Sequence, residues 1–182
     1  SAAVAGLEAN EGLVAGADVE DRAVGALVGL AAGDAVGTTL EFKRPGSFEP
    51  ITDMVGGGPF RLPAGAWTDD TSMALCLAES LLDVGDQDPA DQLRRYVRWY
   101  REGYLSSTGS CFDIGGATLG ALNRFDRQGT VVADPIDQEA AANGSLMRLA
   151  PVAIRWWSSP ADAAEQAAAS SRTTHPAGRP VD

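Results

Sequence analysis

Trp67-Thr68-Asp69-Asp70-Thr71-Ser72-Met73-Ala74 sets two adjacent carboxylates among hydroxyls, directly before the apolar positions Met73, Leu75, Cys76, Leu77, Leu81 and Leu82. That spacing predicts a helix with a buried face, ending near Asp83 to Gly85. Acids and hydroxyls suit the first turn of such a helix, where they accept from free N–H groups and offset the positive end of the dipole. The same oxygens are hard ligands of the kind Mg²⁺ and Mn²⁺ take. Cap and metal shelf are both open readings, and one stretch can serve as both.

Working outward, every strong period is helical. Upstream, the acids Asp18 to Asp21 open a helix whose positions Ala23, Val24, Leu27, Val28, Leu30, Ala31 and Ala35 are apolar nearly all round, which predicts burial on most sides. Gly25, Gly29, Gly33 and Gly37 recur every four residues and predict a ridge that another backbone approaches closely, with this helix central. Residues 1–18 read as a flexible lead-in and 19–182 as one domain. Gly37 to Gly65, rich in Gly and Pro, reads as a long structured loop, either a wall or lid of a site or a surface excursion.

Downstream, Asp88-Pro89 opens a helix with Leu93, Tyr96, Val97 and Tyr100 on its buried face and Arg94, Arg95, Arg98 and Arg101 on its wet one. Further helices are expected over Asp113 to Asn123, over Ser145 to Trp157 with Pro151 bending or breaking it, and over Ala161 to Ser171. Thr130-Val131-Val132 is too short to build a sheet. The fold class is all-α, a compact multi-helix domain.

A chain of 182 residues, 45% hydrophobic, is long enough for one well-buried core. Its net charge of −11 opposes steering toward phosphate backbones or anionic membranes, so no nucleic acid and no membrane are expected as partners. Ala23 to Gly37 falls short of the roughly 20 apolar residues of a membrane span. Cys76 and Cys111 predict free thiols and, with no secretory signal pattern, a cytoplasmic setting.

Four motifs stand in order: Gly33-Asp34-Ala35-Val36-Gly37 with Glu41 shortly after it, Thr68-Asp69-Asp70-Thr71, Asn143-Gly144-Ser145-Leu146-Met147-Arg148, and Thr173-Thr174-His175-Pro176. With Asp113-Ile114-Gly115 between them, the chain from about Asp21 to His175 resembles the ADP-ribosylglycohydrolase family, of the dinitrogenase-reductase-activating glycohydrolase type. The resemblance implies an all-helical domain that uses a pair of Mg²⁺ or Mn²⁺ ions to hydrolyse the bond between ADP-ribose and a modified side chain, arginine first among acceptors. It implies metal ligation by Thr68, Asp69 and Asp70, catalytic roles for Glu41 and Asp70, and substrate contacts at Asp113, Gly115, Asn143, Gly144, Ser145 and His175. Its partners would be an ADP-ribosylated protein or a small ADP-ribosyl ligand. A second Asp-x-Asp-Thr element, expected downstream of the histidine, does not occur before Asp182, so a further C-terminal segment is expected to complete the site. The alternative is a non-catalytic ADP-ribose-binding or interaction fragment.

The chemistry is reasonable on its own terms. Glycosidic cleavage passes through an oxocarbenium-like state, and two cations about 3.5 to 4 Å apart can hold ribose hydroxyls and polarise a water. Asp69 and Asp70, about 100° apart on a helix, can address different ions. Backbone N–H groups around Gly144, at a helix N-terminus, can meet a diphosphate. Simpler roles remain open: Glu41 as a solvated loop acid, Asn143 to Ser145 as a cap, His175 as a turn residue. Ala142 stands where the family commonly has glycine.

Overall fold

The computed structural model describes residues 16–132 and 143–175. Most of the expected lead-in, Ala142 and the segment after His175 lie outside the described residues. Six α-helices follow one another there: α1 (Gly16–Gly37), α2 (Asp69–Val84), α3 (Pro89–Glu102), α4 (Gly116–Gln128), α5 (Ala150–Arg155) and α6 (Pro160–Arg172). Short 3₁₀ turns occupy Thr38–Leu40 and Asn143–Ser145. Among the described residues no strand forms, and Gly57 and Leu62 make an isolated bridge.

The core forms around α2. Met73, Cys76, Leu77 and Leu81 recur at helical spacing and are all buried. Against them pack Leu93, Tyr96 and Trp99 of α3, Leu122 of α4 and Val152 of α5. Asp88 caps α3 by accepting from the N–H groups of Ala90 and Asp91 at 2.9 and 3.0 Å, and Pro89 presets its first turn. Trp99 and Gln92 join the buried face of α3, while Val97 and Tyr100 lie at its margin.

Arg95 departs from the wet face expected for it. Its side chain is 14% exposed and meets Asp91 at 2.7 Å, Asp83 at 2.8 Å and Glu79 at 3.1 Å. Because two of those acids belong to α2, the guanidinium ties α3 to the central helix. Arg94, Arg98 and Arg101 remain at the surface.

Two expectations for α1 fail. Val24 and Val28 are 55% and 61% exposed, and a Cβ on Gly25, Gly29, Gly33 or Gly37 would meet nothing within 4 Å. No described backbone lies along the glycine ridge; the helix is held by its last turns, where Ala35 is buried. The helix also outruns the short apolar stretch read from Ala23, and Asp18–Leu40 is long and apolar enough to cross a membrane by length and composition alone. Asp34 and Thr38, however, face a polar cavity on the protein.

The helix expected over Ser145 to Trp157 is also different. Residues 146–148 form turns, and α5 begins at Ala150. Pro151 sits in the first turn, where its missing N–H has no partner to lose, so it starts the helix rather than bending one.

The long loop is pinned, not free. Thr39 Oγ1 donates to the carbonyl of Gly56 at 3.1 Å, and a Cβ on Gly58 would come within 2.7 Å of the Thr38 carbonyl oxygen. Gly103, the C-cap of α3, is more constrained still: at φ 69° its Cβ would lie 2.1 Å from the carbonyl oxygen of Gly109. Gly103→Ala combines left-handed strain with a backbone clash and is expected to cost about 3 kcal/mol of unfolding free energy, read from urea denaturation.

Candidate active site

The site begins with an acid inside an apolar helix. Asp34 of α1 reaches the start of α2, where its carboxylate accepts from Thr68 N–H at 3.0 Å, Thr68 Oγ1 at 2.8 Å, Thr71 N–H at 3.1 Å and Thr71 Oγ1 at 2.6 Å. Thr68 itself makes no side-chain cap, so the cap of α2 comes from α1. The Thr68 hydroxyl gives its hydrogen to Asp34 and keeps lone pairs that could meet a cation.

This junction forms one wall of a cavity of about 570 Å³. Asp34, Glu41, Asp69, Asp70 and Asp113 line it, and among the described residues no lysine or arginine does. The consequences show in their proton affinities. Asp69 is pushed up to about 8, first by burial and then by the negative charges of Asp113 and Asp70. Asp70 moves up through burial and the charge of Asp34. Asp113 moves up through burial and then through the charge of its neighbour Glu41 and a hydrogen bond to it. Its backbone is left-handed, φ 58°, a conformation aspartate tolerates better than most residues.

Hard oxygens gathered without a compensating cation are the donor set that divalent ions satisfy. Thr68, Asp69 and Asp70 therefore fit a metal chemically. Among the described residues no three carboxylate, thiol or imidazole groups converge to hold an ion by themselves. Water, hydroxyl or substrate oxygens would have to share the coordination.

The rest of the lining forms a neutral wall. Gly115, Gly116 and Thr118 from the start of α4, Asn143 and Gly144 from the 3₁₀ turn, Met147 and His175 line it. Burial, followed by the charge of Arg148, pushes His175 down to about 4, which leaves it uncharged at neutral pH. Gly144 admits the ring: a Cβ there would lie 2.7 Å from His175 Cε1 and 3.2 Å from Thr118 Oγ1.

Nine of the ten candidates, Glu41, Thr68, Asp69, Asp70, Asp113, Gly115, Asn143, Gly144 and His175, meet at this cavity. Ser145 does not. It is buried, its Oγ accepts from Ser171 Oγ at 2.9 Å, and it faces the interior. The helix N-terminus expected at Gly144 is also absent, since Asn143–Ser145 is a single 3₁₀ turn. Of the long loop only its start, through Glu41, reaches the cavity. The residues left without a role in the sequence are Asp34, Thr71, Thr118, Arg148 and Thr174. Asp34 had a signal, because a lone acid in an apolar helix needs partners.

An all-helical domain with an open, acid-walled cleft is the class that fold and site define. A model of the ADP-ribosylglycohydrolase family matches residues 15–182. The chain is 55% identical over 147 residues to the ADP-ribosylarginine hydrolase Tri1 of Pseudomonas putida, covering 76% of this chain and 39% of that protein. It is 37% identical over 164 residues to the ADP-ribosyl-[dinitrogen reductase] glycohydrolase of Rhodospirillum rubrum, covering 88% of this chain and 53% of that protein. A solved structure described as an ADP-ribosylglycohydrolase-related protein complex superposes with a TM-score of 0.76 at 47% identity, over 90% of this chain and 52% of the other. The chain belongs to the ADP-ribosylglycohydrolase family. It spans about half the length, or less, of these relatives.

Two predictions follow from the acids. Asp34→Asn turns one acceptor arm into a donor facing donors, and is expected to cost about 2 kcal/mol in urea unfolding. The second concerns pH. Folded Asp69 keeps its proton to about pH 8 against 3.8 unfolded, so the stability it adds is full at low pH and is lost as pH rises toward 8. His175 works oppositely: its contribution is full above its unfolded value of 6.5 and is lost as pH falls toward 4. Among the described residues, the raised carboxylates are the groups that act between pH 6.5 and 8. With a chelator present, the protein is expected to lose about 2 kcal/mol across that window, and Asp69→Asn to flatten the slope.

Proposed function

We propose that the protein hydrolyses the glycosidic bond between ADP-ribose and an arginine side chain with the help of Mg²⁺ or Mn²⁺. The observation that carries this reading is the cleft itself, lined by five acids together with neutral groups that can form hydrogen bonds. The acceptor comes from the ADP-ribosylarginine hydrolases it is similar to. Its partner would be an ADP-ribosylated protein, with a small ADP-ribosyl compound the simpler substrate.

In this reading Thr68, Asp69 and Asp70 hold the cation, which when bound would orient ribose hydroxyls and polarise a water. Glu41 lies beside Asp113, whose proton affinity its charge raises, and a carboxylate of this pair can accept a proton from the attacking water. The water oxygen bonds to the anomeric carbon, the carbon–nitrogen bond breaks with its electron pair going to nitrogen, and the guanidine nitrogen takes up the proton that the carboxylate took from the water. Asn143 and Gly144 line the neutral wall, where amide hydrogens can meet the diphosphate without adding charge.

Incubation with an ADP-ribosylated arginine peptide and Mg²⁺ or Mn²⁺ tests the reading. Free ADP-ribose should accumulate, chelation should stop it, and Asp70→Asn or Glu41→Gln should each lower kcat by about 100-fold or more. Absence of product with either metal, the intact protein being folded, contradicts it. The lack of a self-sufficient three-ligand cluster among the described residues favours a second reading, an ADP-ribose-binding module. Calorimetry separates the two: metal-independent binding of ADP-ribose without turnover supports the module.

A further inference from the structure

Behind the neutral wall lies Arg148, fully buried, its Nε and Nη1 without a hydrogen-bond partner among the described residues. Its Nη2 donates to the Ser170 carbonyl at 3.1 Å, to Thr173 Oγ1 at 3.2 Å and to Thr174 Oγ1 at 2.8 Å. The guanidinium carbon stands 4.8 Å from the centre of the Tyr96 ring. An uncompensated buried cation is costly, so what it does for its neighbours matters.

Thr174 passes the contact on. Its Oγ1, buried, lies 2.7 Å from Nδ1 of His175. A hydroxyl has one hydrogen to give. With Arg148 donating into the oxygen, Nδ1 is the acceptor within reach among the described residues. A protonated Nδ1 would leave the hydroxyl hydrogen buried without an acceptor and set two donors on one oxygen beside the guanidinium. Nδ1 is therefore bare, and the ring of a neutral histidine then carries its hydrogen on Nε2. That atom is on the cavity side, where a Cβ on Gly144 would lie 3.0 Å from it.

We infer that Arg148, acting through Thr174, is a positioning residue that locks His175 as the Nε2–H tautomer and makes this wall a hydrogen-bond donor for an acceptor oxygen of the ligand. The ligand clause rests on the ADP-ribosyl reading above; the tautomer clause does not. A phosphate oxygen only accepts, so an Nε2–H can hold it where a bare Nε2 would repel it. The buried guanidinium adds a positive field behind the ring without placing a charge in the cleft.

Long-range ¹H–¹⁵N spectra of labelled protein read the tautomer directly, with the ring signals assigned by their loss in His175→Gln. At pH 7 and without ligand, wild type is expected to have Nε2 protonated and Nδ1 bare. Thr174→Val and Arg148→Met should each give mixed tautomers, and Thr174→Ser should return the wild-type pattern. Thr174→Val should weaken ADP-ribose binding about threefold to tenfold, the worth of one neutral hydrogen bond. A wild-type ring protonated on Nδ1 overturns the proposal whether or not any variant folds. So does a folded Thr174→Val or Arg148→Met whose ring stays wholly Nε2–H. If the tautomers behave as expected but ADP-ribose leaves the Nε2 signal unmoved, the relay holds and the ADP-ribosyl reading fails.

Discussion

One carboxylate joins the two helices on which the site depends. Asp34 enters from α1 and takes four donors at the first turn of α2, so the helix that carries Asp69 and Asp70 is capped from outside its own sequence. Charge-assisted bonds of this kind are worth about 1.5 to 3 kcal/mol each, roughly twice a neutral pair. They fix the angle at which α2 leaves the loop and leave the side chains of Asp69 and Asp70 free of capping duty. The positive end of the helix dipole also faces this group of acids and softens their mutual repulsion.

That repulsion remains the main tension in the fold. Burial and neighbouring charge raise the proton affinities of Asp69, Asp70 and Asp113 together, so the cleft holds protons where ordinary surface acids would have released them. Such arrangements work against stability and are retained where function uses them. The rest of the lining answers with neutral donors and an uncharged histidine backed by a buried arginine. A protein of net charge −11 thus lines one cleft with acids and with neutral groups together.

The all-helical class was legible from the sequence because Met73 to Leu82 and Leu93 to Tyr96 repeat at helical spacing with caps and stop glycines in place. The residues that meet at the cleft were legible through ordered motifs rather than through any single one. Packing was less readable. The glycine ridge of α1 looked like a contact seam, yet period alone does not say which described element lies against it. Pro151 looked like a break in a longer helix because proline at a first turn and proline at a kink have the same local sequence. Arg95 looked solvated because its partners Glu79 and Asp83 come from another helix. Arg148 and Thr174 lacked an assigned role because a relay is visible only when both ends have positions.

We propose the acid wall as a cation site whose occupant displaces protons. Direct titration of Mn²⁺, followed by the loss of its free-ion EPR signal, tests it. Binding should tighten as pH rises from 6.5 to 8, while Asp69 releases its proton, and should collapse in Asp69→Asn and Asp70→Asn. Mn²⁺ binding that is absent, or that is unchanged by pH and by both substitutions, would contradict the account.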